Sequence, residues 1–171
     1  MTSARKTYII ANWKMNFTVG ESSLYLDKLS KRIQPSRKIQ VVLAPSTISL
    51  QSLSLQINRR QFKLAAQNFY WRDFGAFTGE TAISQIRSFV DYAIVGHSER
   101  RYVFNESDKD IAQKVAAAIR NGLTPVLCIG ETALERRNGE TNSAIYSQLL
   151  GGLSEVSEED ISKVIIAYEP V

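Results

Sequence analysis

The two side chains that most often hold metals or crosslink a chain are nearly missing here. The 171 residues contain one cysteine, Cys128, and one histidine, His97. A single cysteine forms no disulfide within the chain, which fits a thiol-reducing compartment, so a cytoplasmic location is expected. A single histidine rules out two-histidine zinc ligation, and with one cysteine beside it no structural zinc site is expected. Long hydrophobic runs are absent too. The start, "MTSARKTYIIANWK", is basic but offers only four consecutive apolar positions before Asn12, too few for a secretory leader or a membrane span. There is no alignable repeat, low-complexity tract or linker-like boundary, so residues 1–171 read as one domain.

Composition is that of an ordinary globular chain, 44% hydrophobic and 22% charged, enough to bury a sizeable core. The formal net charge of +4 admits nucleic acid, an anionic surface or an anionic small substrate. The basic residues fall in scattered pairs, Arg59-Arg60, Arg100-Arg101 and Arg136-Arg137, with acids near the last two, and not in a stripe interleaved with aromatics. Most of them read as solvated surface, and no nucleic-acid partner is expected.

Six short runs, "TYIIA", "IQVVLAP", "FKLAAQ", "YAIVG", "TPVLCIG" and "VIIAYEP", are nearly continuously apolar, as strands buried on both faces should be. Helical segments separate them. In "GESSLYLDKLSKRI" the residues Leu24, Leu26, Leu29 and Ile33 lie close to one face. "SDKDIAQKVAAAIRNG" has acids in its first turn and Asn121-Gly122 at its end. "STISLQSLSLQ" and "TNSAIYSQLLGGL" are weaker helical patterns. Alternation of this kind builds βαβ units and a parallel sheet, either open and doubly wound or a (β/α) barrel; periodicity does not decide between them. In both, ligands sit at the C-terminal ends of the strands.

Polar residues collect at those ends. After the first run come Asn12 and Lys14, two apart and so on one side of an extended chain. Lys14 alone reads as a surface lysine; with Asn12 it makes an anion site. After the fourth run comes "GHSERR", whose Ser98 could cap a short helix and whose His97, at a helix N-terminus, suits a neutral imidazole donating one hydrogen bond. The motif lacks the second glycine of a serine-hydrolase elbow. Cys128 sits inside an apolar run and reads as packing. After the sixth run Glu169 precedes Pro170, which ends the ladder and holds the carboxylate at the rim, with Ile165, Ala167 and Glu169 on one side. A carboxylate, an imidazole, an amide and an ammonium together suit proton abstraction next to a carbonyl.

"ANWKMN", "AQN", "GAFTGE", "VGHSERR", "CIGE" and "AYEPV", in this order and spacing, closely resemble the triosephosphate isomerase family over the whole chain from the first strand onward. The resemblance implies an α/β (β/α)8 TIM barrel, a glycolytic and gluconeogenic cytoplasmic enzyme, and a triose phosphate substrate without cofactor or metal. It also assigns roles. Glu169 is the base shuttling a proton between adjacent carbons, and His97 is the neutral electrophile. Lys14 is the cation balancing phosphate and enediolate, Asn12 is a donor to the substrate oxygen, and Glu99 is the acid of the family's "SER" motif. The family is typically a homodimer in which the loop carrying Thr78 reaches beside the other subunit's Asn12 and Lys14.

A full barrel takes roughly 250 residues, whereas only the first six strands and five connecting α segments are present here. Family members continue after "AYEPV" into a lid and two further strands that carry phosphate-binding loops. The expectation is therefore a truncated TIM barrel, impaired if it acts alone. Its open apolar edges would favour self-association, and the rival to an isomerase is a non-catalytic barrel fragment that needs a complementary C-terminal segment or self-association.

Overall fold

The computed structural model describes residues 6–171; residues 1–5, part of the basic start on which the argument against a leader rests, lie outside the described residues. Each apolar run forms a strand: β1 (Thr7–Asn12), β2 (Ile39–Ala44), β3 (Phe62–Ala66), β4 (Tyr92–Val95), β5 (Thr124–Ile129) and β6 (Ile165–Tyr168). The strands pair in chain order, every neighbour parallel, with Asn12 opposite Ala44 and Cys128 opposite Ala167. Parallel neighbours need crossover segments, and the helices supply them. Helix α1 (Val19–Ser30) follows β1, α2 (Thr47–Gln56) follows β2 and α3 (Ile83–Ile86) follows β3. The last two connections are each split, into α4 (Ser98–Tyr102) with α5 (Asp108–Arg120), and α6 (Ala133–Arg137) with α7 (Thr141–Leu153). Caps explain the starts of the two best-defined helices. Thr18 with Glu21, and Ser107 with Asp110, form reciprocal capping boxes at α1 and α5.

The sheet is strongly curled. A flat sheet places β1 and β4 three strand spacings apart, about 14 Å, yet the rings of Tyr8 on β1 and Tyr92 on β4 meet edge to face with centroids 6.2 Å apart. The curl divides the interior in two. Between sheet and helices lies the main core, with Phe62, Leu64, Leu43, Ile111 and Leu127 fully buried. On the concave side Val42, Ala44, Ala65, Tyr92, Ile94 and Val126 pack with Ile10, Cys128, Ile165 and Ala167. Small residues dominate that inner layer, as a tight radius demands. This is the architecture of a truncated TIM barrel, with Ile165 and Ala167 sharing one face of β6 as strand parity expects. Burial there pushes the Tyr92 phenol up to about 12.

Two expectations need correction. Leu24 does not face the core; it is exposed on α1, while Leu26 is buried and Leu29 and Ile33 pack at the margin. Nor are all strands buried on both faces. On the edge strands β1 and β6, Ile9, Ile166 and Tyr168 are about half exposed, because each has a neighbour on one side only. Among the described residues no helix is long and apolar enough to cross a membrane.

At the β5–β6 junction the Glu169 N–H reaches the Ile129 carbonyl at 3.0 Å, and a Cβ on Gly130 would collide with the Glu169 carbonyl oxygen. A backbone oxygen cannot swing aside as a flexible side chain can. Gly130→Ala should therefore destabilise by about 2–4 kcal/mol, as strain at a packed backbone contact does. Gly20→Ala, in open space on α1, should be neutral or stabilise by up to roughly 1 kcal/mol. Urea unfolding of both variants tests the contrast.

Candidate active site

The C-terminal ends of β1 and β4 join four of the sequence-predicted groups, Asn12, Lys14, Glu99 and His97, in one hydrogen-bonded chain, and Glu169 at the end of β6 bonds to Ser98 beside it. Beyond β1 the backbone turns sharply. Lys14 has φ +54, and its N–H donates to Asn12 Oδ1 at 3.0 Å. Strand alternation thus does not set the Lys14 direction as expected; a left-handed residue past the strand end does. Gln67, just past β3, locks the turn by donating through Nε2 to the carbonyls of Lys14 at 2.9 Å and Ala44 at 2.7 Å. With Asn12 Oδ1 occupied, its amide N–H groups make no hydrogen bond among the described residues and are left to face another acceptor.

Lys14 Nζ crosses from β1 to the β4 end and pairs with Glu99 Oε1 at 2.7 Å. The Glu99 hydrogen bond raises the Lys14 pKa, and the same bond lowers that of Glu99. Both side chains are about half exposed, so the pair contributes at most roughly 0.2–1 kcal/mol to stability. That contribution is present above the unfolded carboxyl range and is lost as pH falls through the lowered Glu99 value.

His97 corrects another expectation: the helix cap is the histidine itself, and Ser98 is the first residue of α4. His97 Nδ1 accepts the Glu99 backbone N–H at 3.2 Å. A neutral imidazole accepting at Nδ1 carries its hydrogen on Nε2, so the ring is a donor through its outer nitrogen. Glu99 Oε2 lies 3.7 Å from Nδ1, too far for a hydrogen bond.

Ser98 instead holds Glu169, donating through Oγ to its Oε2 at 3.2 Å. A cleft of about 310 Å³ opens beside this contact, lined by Gly96, Ser98, Arg101, Cys128, Gly130 and Glu169. The Cys128 thiol is pushed up to about 11, first by burial and then by the Glu169 carboxylate, so it is no nucleophile at neutral pH. Thr78 is not brought to the cluster. It is exposed on the loop between β3 and α3, and it shares no hydrogen bond with the other named residues.

A profile of the family described as triosephosphate isomerase matches residues 7–171. The chain belongs to the triosephosphate isomerase family. Triosephosphate isomerases of Clostridium perfringens, Streptococcus mutans and Lactiplantibacillus plantarum are 39%, 38% and 37% identical to it over 168, 169 and 168 residues. Each alignment takes in 98% of this chain and 67% of the relative, so the chain spans about two-thirds of their length.

Sequence reasoning missed the scaffold under the family's rim motifs. Arg100 and Arg101 are not freely solvated: Arg100, partly buried, donates through Nε to buried Glu106 Oε1 at 3.1 Å, and the Arg101 side chain is only 9% exposed. Lys114, buried on α5, completes an ion pair with Glu106 and donates to Asn68 Oδ1 at 2.7 Å. Burial pulls its pKa below the lysine norm, with Glu106 opposing. A clue was present, since Lys114 falls within the apolar spacing of Ile111, Val115 and Ala118. Arg136 likewise pairs with buried Glu131 at 2.7 Å, where the Tyr168 hydroxyl also donates.

Removing the cation in Lys14→Met should raise the Glu99 pKa toward the ordinary range, read by carboxyl-carbon NMR titration. An unmoved Glu99 would mean the pair does not persist in solution. Alkylation of native Cys128 at pH 8 should run at least about 100-fold slower than in the unfolded chain, reflecting its smaller thiolate fraction.

Proposed function

We propose that this chain carries the proton-transfer half of a triosephosphate isomerase site and interconverts dihydroxyacetone phosphate and D-glyceraldehyde 3-phosphate through an enediolate. The observation that carries the reading is the His97 hydrogen bond: an imidazole accepting at Nδ1 presents an uncharged Nε2–H donor to a substrate carbonyl. An imidazolium would be needed only if a full proton had to be delivered; a neutral donor instead matches the weak acidity of an enediol.

Glu169 is the base. Its carboxylate is exposed and held by one 3.2 Å bond from Ser98, a hold weak enough for substrate to displace. It removes the proton from one carbon and returns it to the next, while His97 stabilises the oxygen on which charge develops. Lys14 supplies the cation for the phosphate and the enediolate, Asn12 donates to a substrate oxygen, and Glu99 fixes the ammonium's position. We assign the working form to a cytoplasmic homodimer acting in glycolysis. The loop of Thr78 suits the contact, since Phe74 and Phe77 are exposed at its tip while Asp73 at its base is tied to Arg120 and Asn121.

A second reading rests on the exposed edges β1 and β6: a fragment that is inactive until a complementary segment or a second copy covers them. Turnover of glyceraldehyde 3-phosphate separates the two, with Glu169→Gln prepared in parallel to expose contaminating host enzyme. Activity above that control supports the first reading; parity supports the second. Where activity is present, His97→Gln should lower kcat by roughly 10²–10⁴ with a smaller change in KM. A change confined to KM would remove His97 from the electrophile role.

A further inference from the structure

The His97 geometry depends on a turn that must hold the Glu99 N–H against Nδ1, and the structure shows one side chain gripping that turn from below. Arg101, on α4, donates through Nε to the Gly96 carbonyl at 2.8 Å, immediately before His97. One terminal nitrogen pairs with Asp108 Oδ1 on the first turn of α5 at 2.6 Å, and the other reaches the Cys128 carbonyl near the end of β5 at 3.3 Å. One nearly buried guanidinium therefore ties together the end of β4, the end of β5 and the start of α5.

Gly96 is fitted to this grip. Its φ is +69, a conformation side chains rarely adopt, and a Cβ there would lie 3.0 Å from the Arg101 guanidinium and 3.2 Å from Ile111. The bare backbone lets the fork close on the carbonyl. A guanidinium suits the task because its donors lie in a fixed plane and reach three acceptors at once; an ammonium is a point donor on a flexible stem.

We infer that Arg101 is a positioning residue: it sets the single tautomer of His97 by fixing the Gly96–His97 corner against β5 and α5. The inference rests on the isomerase reading for its importance but not for its test, because the ring is observable without turnover. His97 is the only histidine in the chain, so its two nitrogens give the only imidazole signals in a long-range proton–nitrogen NMR spectrum of the 15N-labelled full chain.

Recorded at pH 9, where imidazoles are neutral, the unaltered protein should show one protonated nitrogen, Nε2, and one bare nitrogen, Nδ1. In Arg101→Lys, which keeps the charge, the separation between the two resonances should shrink as the second tautomer becomes populated. Arg101→Met should shrink it further. Val115→Ala, a core truncation on α5 outside the grip, serves as the control for general loosening and should keep the unaltered pattern. An unchanged pattern in folded Arg101→Lys overturns the inference whether or not Arg101→Met folds. Equal disturbance in Val115→Ala overturns it too, since instability alone would then account for the effect. A chain inactive toward triose phosphate yet showing the Arg101→Lys effect would defeat the catalytic reading and leave the positioning role standing.

Discussion

The sheet curls far enough for Tyr8 and Tyr92, three strands apart, to touch, and the rim above them inherits that curvature. Without it, Lys14 at the end of β1 and Glu99 beyond β4 could not meet at 2.7 Å. The inner layer of the curl is thin, with Ala44, Ala65, Ala167 and Cys128 among its residues, whereas Phe62, Leu43, Leu64 and Leu127 fill the space between sheet and helices. Small inner residues and bulky outer ones give the two faces different widths, and a twisted parallel sheet bends toward the narrower one.

Charge in this molecule is layered. At the rim, Lys14, Glu99 and Glu169 are exposed and weakly held, so their partners can change when a ligand arrives. Beneath them, Arg101, Glu106 and Lys114 are largely withdrawn from water and multiply bonded, with Arg100 paired to Glu106 at their margin. Breaking one partner of such a buried set leaves a charge without compensation, which costs several kcal/mol. A loosely held layer therefore stands on a tightly bonded one.

Strand positions were legible because burial on both faces leaves continuous apolar runs, and α5 because its cap, stripe and terminal Asn121-Gly122 agree. The rim residues were legible from their place at strand ends, and the family's motifs gave them roles. Three things were hidden, each decided by tertiary contact. The direction of Lys14 follows from a left-handed turn pinned by Gln67, which no periodicity encodes. The capping role passed from Ser98 to His97 because an imidazole nitrogen can accept an N–H as well as a hydroxyl does. Arg100 and Arg101 read as surface because a pair of arginines normally is; only carbonyls from distant strands and acids on α5 and its approach show otherwise. The exposure of Leu24 came from the same limit, since helical spacing names a stripe but not its width.

The order of the strands in the sheet is also their order along the chain. As synthesis proceeds, each new strand follows the partner it pairs with, so every pairing in the sheet closes a loop of one crossover and no longer. The Tyr8–Tyr92 contact is the exception, joining residues 84 positions apart. It can form only after four strands exist, so bending comes after pairing. Until β4 has been made, Tyr8 has no ring of that strand to pack against, and Lys14 has no Glu99 to pair with.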